Sequence, residues 1–191
     1  MPLSSIVFLT TLVAATLYAI VIYNNLVRLK HNIAKAWANI DVLLKQRHDE
    51  LPKLVEVCRQ YKQFEESTLT RVIEARARVS DARAQHDVPA LGAAEGLLRS
   101  GLGQIFAVAE AYPELRANEH FMQLQTRIPS LENGIADRRE WYNESVNVHN
   151  VRIEQFPDLL IARVFGFSGQ PLLEFASVEK ADVDLKALFS S

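Results

Sequence analysis

The sequence predicts an all-α protein, with an N-terminal transmembrane helix continuous with a long antiparallel helical bundle of three to four helices. Three observations carry the prediction. Leu3 to Tyr23 holds no charged residue, and as a helix it is about 31 Å long against a hydrocarbon core of about 30 Å. Beyond it, apolar residues recur at steps of three and four, the period of a helix with one buried face. The 191 residues include only 7 Gly and 7 Pro, and the remainder is rich in the Ala, Leu, Glu and Arg that favour helix. The chain divides into a transmembrane anchor over 1–23, an antiparallel helical bundle over 24–167 and a C-terminal tail over 168–191, docked or partly disordered.

The anchor does not read as a signal peptide. No Lys or Arg precedes the run, its apolar core exceeds the usual 7–15 residues, and Leu17-Tyr18-Ala19 lacks the small residues of a cleavage site. Arg28, Lys30 and Lys35 come directly after the run, so the positive-inside rule places the C-terminal domain in the cytoplasm. The chain is therefore expected in the inner (cytoplasmic) membrane as a single-pass protein. Tyr23, Arg28 and Lys30 are the expected membrane-interface residues.

The first helix is expected to leave the membrane and run to near Lys62. Its seam reads Leu26, Ile33, Trp37, Ile40, Leu44, Leu51, Leu54, Cys58 and Tyr61, with Lys30 and Arg47 filling the two missing positions of a coiled-coil-like repeat. Pro52 predicts a kink. A second helix begins at Ser67 or Thr68 as N-cap and reaches about Gln85. The break at His86–Pro89 separates it from a helix over Ala90–Ala111, whose Gly92, Gly96, Gly101 and Gly103 imply close packing or local mobility. Tyr112-Pro113 marks a turn. Asn118 caps the last long helix, with a seam of Phe121, Leu124, Ile128, Leu131, Ile135, Tyr142 and Phe156 and with Arg138, Ser145 and His149 as polar members. Its length matches that of the first soluble helix, which implies an antiparallel pair. Asp158 is expected to cap a short helix to Phe165, ended by Gly166.

These residues carry a resemblance. Tyr23-Asn24-Asn25-Leu26-Val27-Arg28-Leu29-Lys30 adjoins the anchor, and then comes the stretch Ala36-Trp37-Ala38-Asn39-Ile40-Asp41-Val42-Leu43-Leu44-Lys45-Gln46-Arg47. Farther on stand Ala109-Glu110-Ala111-Tyr112-Pro113-Glu114-Leu115-Arg116-Ala117-Asn118, Glu132-Asn133-Gly134-Ile135-Ala136, and Trp141-Tyr142-Asn143 before Phe156-Pro157. Together they resemble the LemA family of bacterial membrane proteins over roughly residues 22–175. The resemblance implies a transmembrane helix and a cytosolic antiparallel bundle, with no catalytic motif to transfer. The chain departs from the family's pattern at Lys53, Gly134 and Pro129.

Composition narrows the function. With 21 Lys and Arg against 23 Asp and Glu, the formal charge is -2, so the chain lacks the basic excess of a nucleic-acid binder. One cysteine, Cys58, leaves no disulfide framework and no cysteine zinc site. The five histidines are dispersed; His48 beside Asp49 and Glu50 comes nearest to a metal motif but has the wrong helical spacing. There is no G-x-S-x-G and no phosphate-cradling loop. No catalytic, cofactor-binding or metal residues are assigned, and no cofactor is expected. Arg71, Arg76, Arg78 and Arg83 read as a solvated face laced with ion pairs, with anionic lipid headgroups or RNA as the alternative contact and Arg83 nearest the bilayer if the second helix runs back toward it. The candidate structural or interaction residues are Asn39, Asp41, Arg47, Arg138, Tyr142 and Asn143, which either pair across the bundle to hold its register or line a polar groove for a partner.

The expected function is a non-enzymatic membrane-anchored scaffold or adaptor that presents a helical bundle at the cytoplasmic membrane face. The alternative is an architectural protein that self-assembles to shape or organise membrane. Expected partners are the lipid bilayer, a membrane or cytosolic protein, and a second copy of the chain as a homo-oligomer, but no nucleic acid.

Overall fold

A computed structural model of the chain describes residues 3–61 and 64–175. It contains helices α1 (Leu3–Arg59), α2 (Glu66–Ala84), α3 (Val88–Ala109), α4 (Pro113–Arg116), α5 (Glu119–Glu154) and α6 (Asp158–Val164), with no strand among the described residues. The chain divides into two compact units, Met1–Ile40 with Ala136–Leu172 and Asp41–Ile135 with Leu173–Ser191. The long helices α1 and α5 each contribute to both.

Local chemistry sets the helix ends. Glu65, rather than Ser67 or Thr68, occupies the N-cap of α2. Its carboxylate accepts from Ser67 Oγ at 3.1 Å and Thr68 Oγ1 at 3.0 Å, so the two hydroxyls serve inside the first turn. The break after α2 is short: Asp87 caps α3, accepting from the Ala90 amide at 2.9 Å, and Pro89 sits in the first turn where its missing N–H costs nothing. Asn118 Oδ1 accepts from the amides of His120 and Phe121 at 3.0 and 3.2 Å and starts α5. Tyr112-Pro113 opens the one-turn helix α4 rather than a bare turn. Pro157, not Asp158, is the N-cap of α6; Asp158 is buried and paired with Arg152 at 2.8 Å. Gly166, at φ +70°, closes α6 where a side chain would be strained.

In the second unit the helices run antiparallel, as pairs of contacts show. As the α1 partner advances from Leu43 through Arg47 to Glu50, its α5 counterpart retreats from Gly134 through Glu132 to Arg127. Arg83 meets Asp41 and Arg76 meets His48, so α2 returns along α1, and Arg71–Gln104 with Val72–Gly101 turn α3 back along α2. Leu44, Leu51, Leu54, Cys58, Val72, Leu91, Leu98, Ile105, Phe121 and Ile128 form its interior. Gly101 is required by approach distance, because an added Cβ would stand 2.8 Å from Val72 Cγ2. Gly92 has a second cause: a Cβ there would collide with the carbonyl of Glu174, where the chain after Leu173 lies on α3.

In the first unit, Ile22, Leu26, Ile153 and Ala162 make one buried cluster, with Ile161 and Phe167 packed against it. N-terminal to this cluster α1 is bare: the side chains from Leu3 through Tyr18 are exposed, and only 6% of its most apolar window is buried. That window has a mean hydropathy of 2.3, long and apolar enough to cross a membrane. A core helix would instead be covered.

Three seam expectations are corrected. Lys30 and Arg138 are exposed rather than on their seams, and Phe156 is 80% exposed. Phe156 falls in the turn after α5, so Ile153, on the last helical turn, takes the buried position. The tail runs in the described residues as far as Phe175; residues 176–191, most of the expected tail, lie outside them.

Candidate functional site

Arg47 is 1% exposed, which a guanidinium tolerates only when its charge is met. Its Nη2 donates to Glu95 Oε1 of α3, and its Nη1 donates to Glu132 Oε1 of α5 at 2.5 Å. The planar fork is what lets one cation reach two carboxylates on separate helices. Burial disfavours the charge on Arg47, but the two carboxylates outweigh it and hold the proton on more firmly than usual. Burial pushes Glu95 the other way, above its ordinary value and against the pull of Arg47, and the nearby Glu132 carboxylate adds a lesser push in the same direction. Glu95 Oε2 and Arg47 Nε are buried without a hydrogen-bond partner among the described residues.

Around this centre the half-buried charges are also coupled. Arg83 grips Asp41 with both Nε and Nη2, the latter at 3.0 Å. That hydrogen bond holds Asp41 below its ordinary value and Arg83 above its own. Arg83 is thus engaged by α1, which takes it away from an anionic-lipid contact. Arg76 donates through Nε to the His48 carbonyl at 3.1 Å and through Nη2 to His48 Nε2 at 2.6 Å. Burial, and then Arg76, lower the His48 pKa. Glu50 accepts from Lys53 at 2.9 Å and Arg127 at 2.8 Å. Among the described residues no three His, Cys, Asp or Glu side chains converge to hold a metal ion. Cys58 is fully buried and its thiol is pushed up to about 12 by burial, far from a reactive thiolate.

The first unit holds the other predicted residues. Tyr142 is buried, stacks at a tilt on Trp37 with ring centroids 5.6 Å apart, and donates its hydroxyl to the Pro171 carbonyl at 3.1 Å. Asn150 clamps the same strap, donating to the Gln170 carbonyl and accepting from the Gln170 amide, both at 2.9 Å. The buried His149 sits with Nε2 3.1 Å from the Ser168 carbonyl, to which it donates in the matching tautomer. Asn39 and Arg138 are exposed, and Asn143 is half-buried. Tyr23 packs its ring 4.7 Å from that of Phe165 and 6.0 Å from that of Phe167, while Arg28 and Lys30 are exposed.

The structure therefore brings Arg47 into a buried triad and Asp41 into a half-exposed pair. It leaves Asn39 and Arg138 in solvent. Glu95 and Glu132 were missed. Glu95 stands in phase with the core residues Leu91, Leu98 and Leu102, so a charge at a core position was the available signal. Asn150 and the strap 168–172 had no such signal, because a side chain that reads main-chain groups is blind to the sequence it holds.

A family-wide comparison matches residues 36–186 to the LemA family. Protein LemA of Metamycoplasma hominis is 26% identical over 166 residues, which cover 86% of this chain and 74% of that protein. Magnetosome protein MamQ 2 of Paramagnetospirillum magneticum is 23% identical over 188 residues, covering 86% of this chain and 66% of the relative. Magnetosome protein MamQ of Magnetospirillum gryphiswaldense shows the same identity and coverage. The chain thus spans slightly less than two thirds of the length of these magnetosome proteins.

Proposed function

The chain belongs to the LemA family, and on that premise we propose that it is a non-enzymatic, single-pass membrane scaffold or adaptor whose helical bundle lies on the cytoplasmic side. The observation that carries the reading is the division of labour along α1. Its first turns present apolar side chains outward with almost nothing of the protein covering them, while its later turns bury Leu44, Leu51, Leu54 and Cys58 inside the bundle. Arg28, Lys30 and Lys35 flank the apolar run and support a cytoplasmic position for the bundle. The groups that could do chemistry serve instead as struts: Arg47 holds two carboxylates, Asp41 is held by Arg83, and Cys58 is sealed. The names of the relatives denote no reaction.

Mechanistically, an anchor confines the bundle to two dimensions and raises its effective concentration at other membrane proteins without any new contact. The test is photo-cross-linking in intact membranes from the exposed Leu97 and Met122. A discrete protein should be captured, with at least a tenfold loss of yield when residues 3–23 are deleted and recovery when an unrelated single-pass helix replaces them. Capture of further copies of the chain alone would put the architectural, self-assembling reading in its place. A yield indifferent to the anchor would end the adaptor reading.

A further inference from the structure

Short as it is, α6 leaves an unusual amount of apolar surface uncovered. Leu160 is 54% exposed and Val164 76%, one turn apart on the same face, and they are flanked by Phe156 at 80% and Phe165 at 58%. The opposite face of α6 is occupied: Ala162 is buried with Ile22, Leu26 and Ile153, and Asp158 is buried beside Arg152. The helix is thus well seated and still turns Leu160 and Val164 outward. Apolar side chains left this open are stabilised by being covered, and a cluster of them marks a surface with a partner.

The height at which α6 is seated identifies the partner. Phe165 and Phe167 pack on Tyr23, the last residue of the apolar run, and Ala162 packs with Ile22 and Leu26 on either side of it. The patch therefore sits where the apolar segment of α1 gives way to Arg28 and Lys30, both exposed. Next to Val164 the exposed Arg163 supplies a long cationic side chain whose stem can lie on apolar surface while its head stays with phosphate. Aromatic rings, aliphatic side chains and arginine together are the composition of a segment lying in the membrane interface.

We propose that the outward face of α6, with Phe156 and Phe165, lies in the interfacial layer of the same bilayer that α1 crosses, giving the protein a second, monotopic membrane contact. The occupant is lipid, argued from continuity with the apolar run of α1. The inference rests on the reading that α1 spans the membrane. Its consequence is orientational. A lone spanning helix rotates freely about its axis, whereas a side helix bedded in the headgroup layer selects one rotation and tilt for the first unit.

The test uses the full chain in vesicles of phosphatidylcholine and phosphatidylglycerol, with a nitroxide placed by single cysteine substitution at Leu12, Leu160, Val164 or Met122. Cys58 is buried and stays unlabelled, as the unsubstituted chain will show. Collision of the label with oxygen, which concentrates in lipid, is compared with collision with a water-soluble nickel chelate. Labels at Leu160 and Val164 should favour oxygen several-fold relative to Met122, approaching Leu12. If Leu12 favours oxygen while Leu160 and Val164 collide freely with nickel, the interfacial contact is overturned and the spanning reading stands. If Leu12 itself collides freely with nickel, the spanning reading fails and takes this one with it. Spin–spin broadening at Val164, with neither reagent reaching the label, would show a second copy on the patch and overturn the lipid assignment.

Discussion

Around Arg47 the protein closes its interior with charge, and around Tyr142 it closes it with rings and main-chain hydrogen bonds. The first arrangement joins three helices through one guanidinium and two carboxylates. The second fastens an extended strap to α5 through Tyr142, His149 and Asn150. Buried ions are demanding of geometry, since a misplaced helix strands a charge in a medium that cannot solvate it. Rings and amides tolerate small shifts. The charged unit thus buries its ion pairs across three helices, whereas the other holds its strap by rings and main-chain hydrogen bonds and leaves Leu160 and Val164 of α6 exposed.

The comparison can be broken most forcefully at Arg47. Arg47→Met strands two carboxylates and should cost about 3–5 kcal/mol in chemical denaturation. Adding Glu95→Leu and Glu132→Gln should recover most of that, because the stranded charge is then gone. If the triple variant is no more stable than the single one, the loss comes from packing rather than from unpaired charge.

A smaller effect separates two glycines of α3. Gly92→Ala would meet the Glu174 carbonyl and should lower the melting temperature while releasing residues 173–175 to hydrogen exchange. Gly103→Ala meets nothing within 4 Å and should stabilise by about 0.5–1 kcal/mol through helix propensity alone. Equal shifts in both would mean that the Glu174 carbonyl does not bear on α3.

The smallest effect concerns pH. Asp41 has its carboxyl held below its ordinary value of 3.8, so its contribution is present above that value and fades as the pH falls through the lower folded value. Asp41→Asn should therefore lower stability at neutral pH by no more than about 1 kcal/mol, as befits a half-exposed pair, and should flatten the acid limb of the stability curve. A variant with an unchanged acid limb would show that Arg83 gains nothing from Asp41.

Much of this was readable from residues alone. The seam from Leu26 to Cys58 is visible because a helix buries one face at a fixed period, Asn118 marks a helix start because its short side chain satisfies free amides, and Pro89 marks a break because it biases its predecessor away from helix. Arg47 was visible as a polar residue on that seam. Its partners were not, since Glu95 lies 48 positions away and pairing at that distance depends on how the helices are turned. Lys30 fits the same repeat as Arg47 and yet is exposed, so the repeat alone does not tell a buried cation from a solvated one. Phe156 continued the period on paper, but the helix had ended.

By itself the sequence determined the helical class, the order of the long helices and the apolar segment of α1, because local propensity, capping and hydropathy act over a few residues. Only the tertiary structure decided which charges are buried together, why Gly92 and Gly101 lack side chains, and that α6 lies against Tyr23 with its apolar face outward. Those depend on distances between segments far apart in the chain, where the cost of an unpaired charge or a blocked approach is settled by packing.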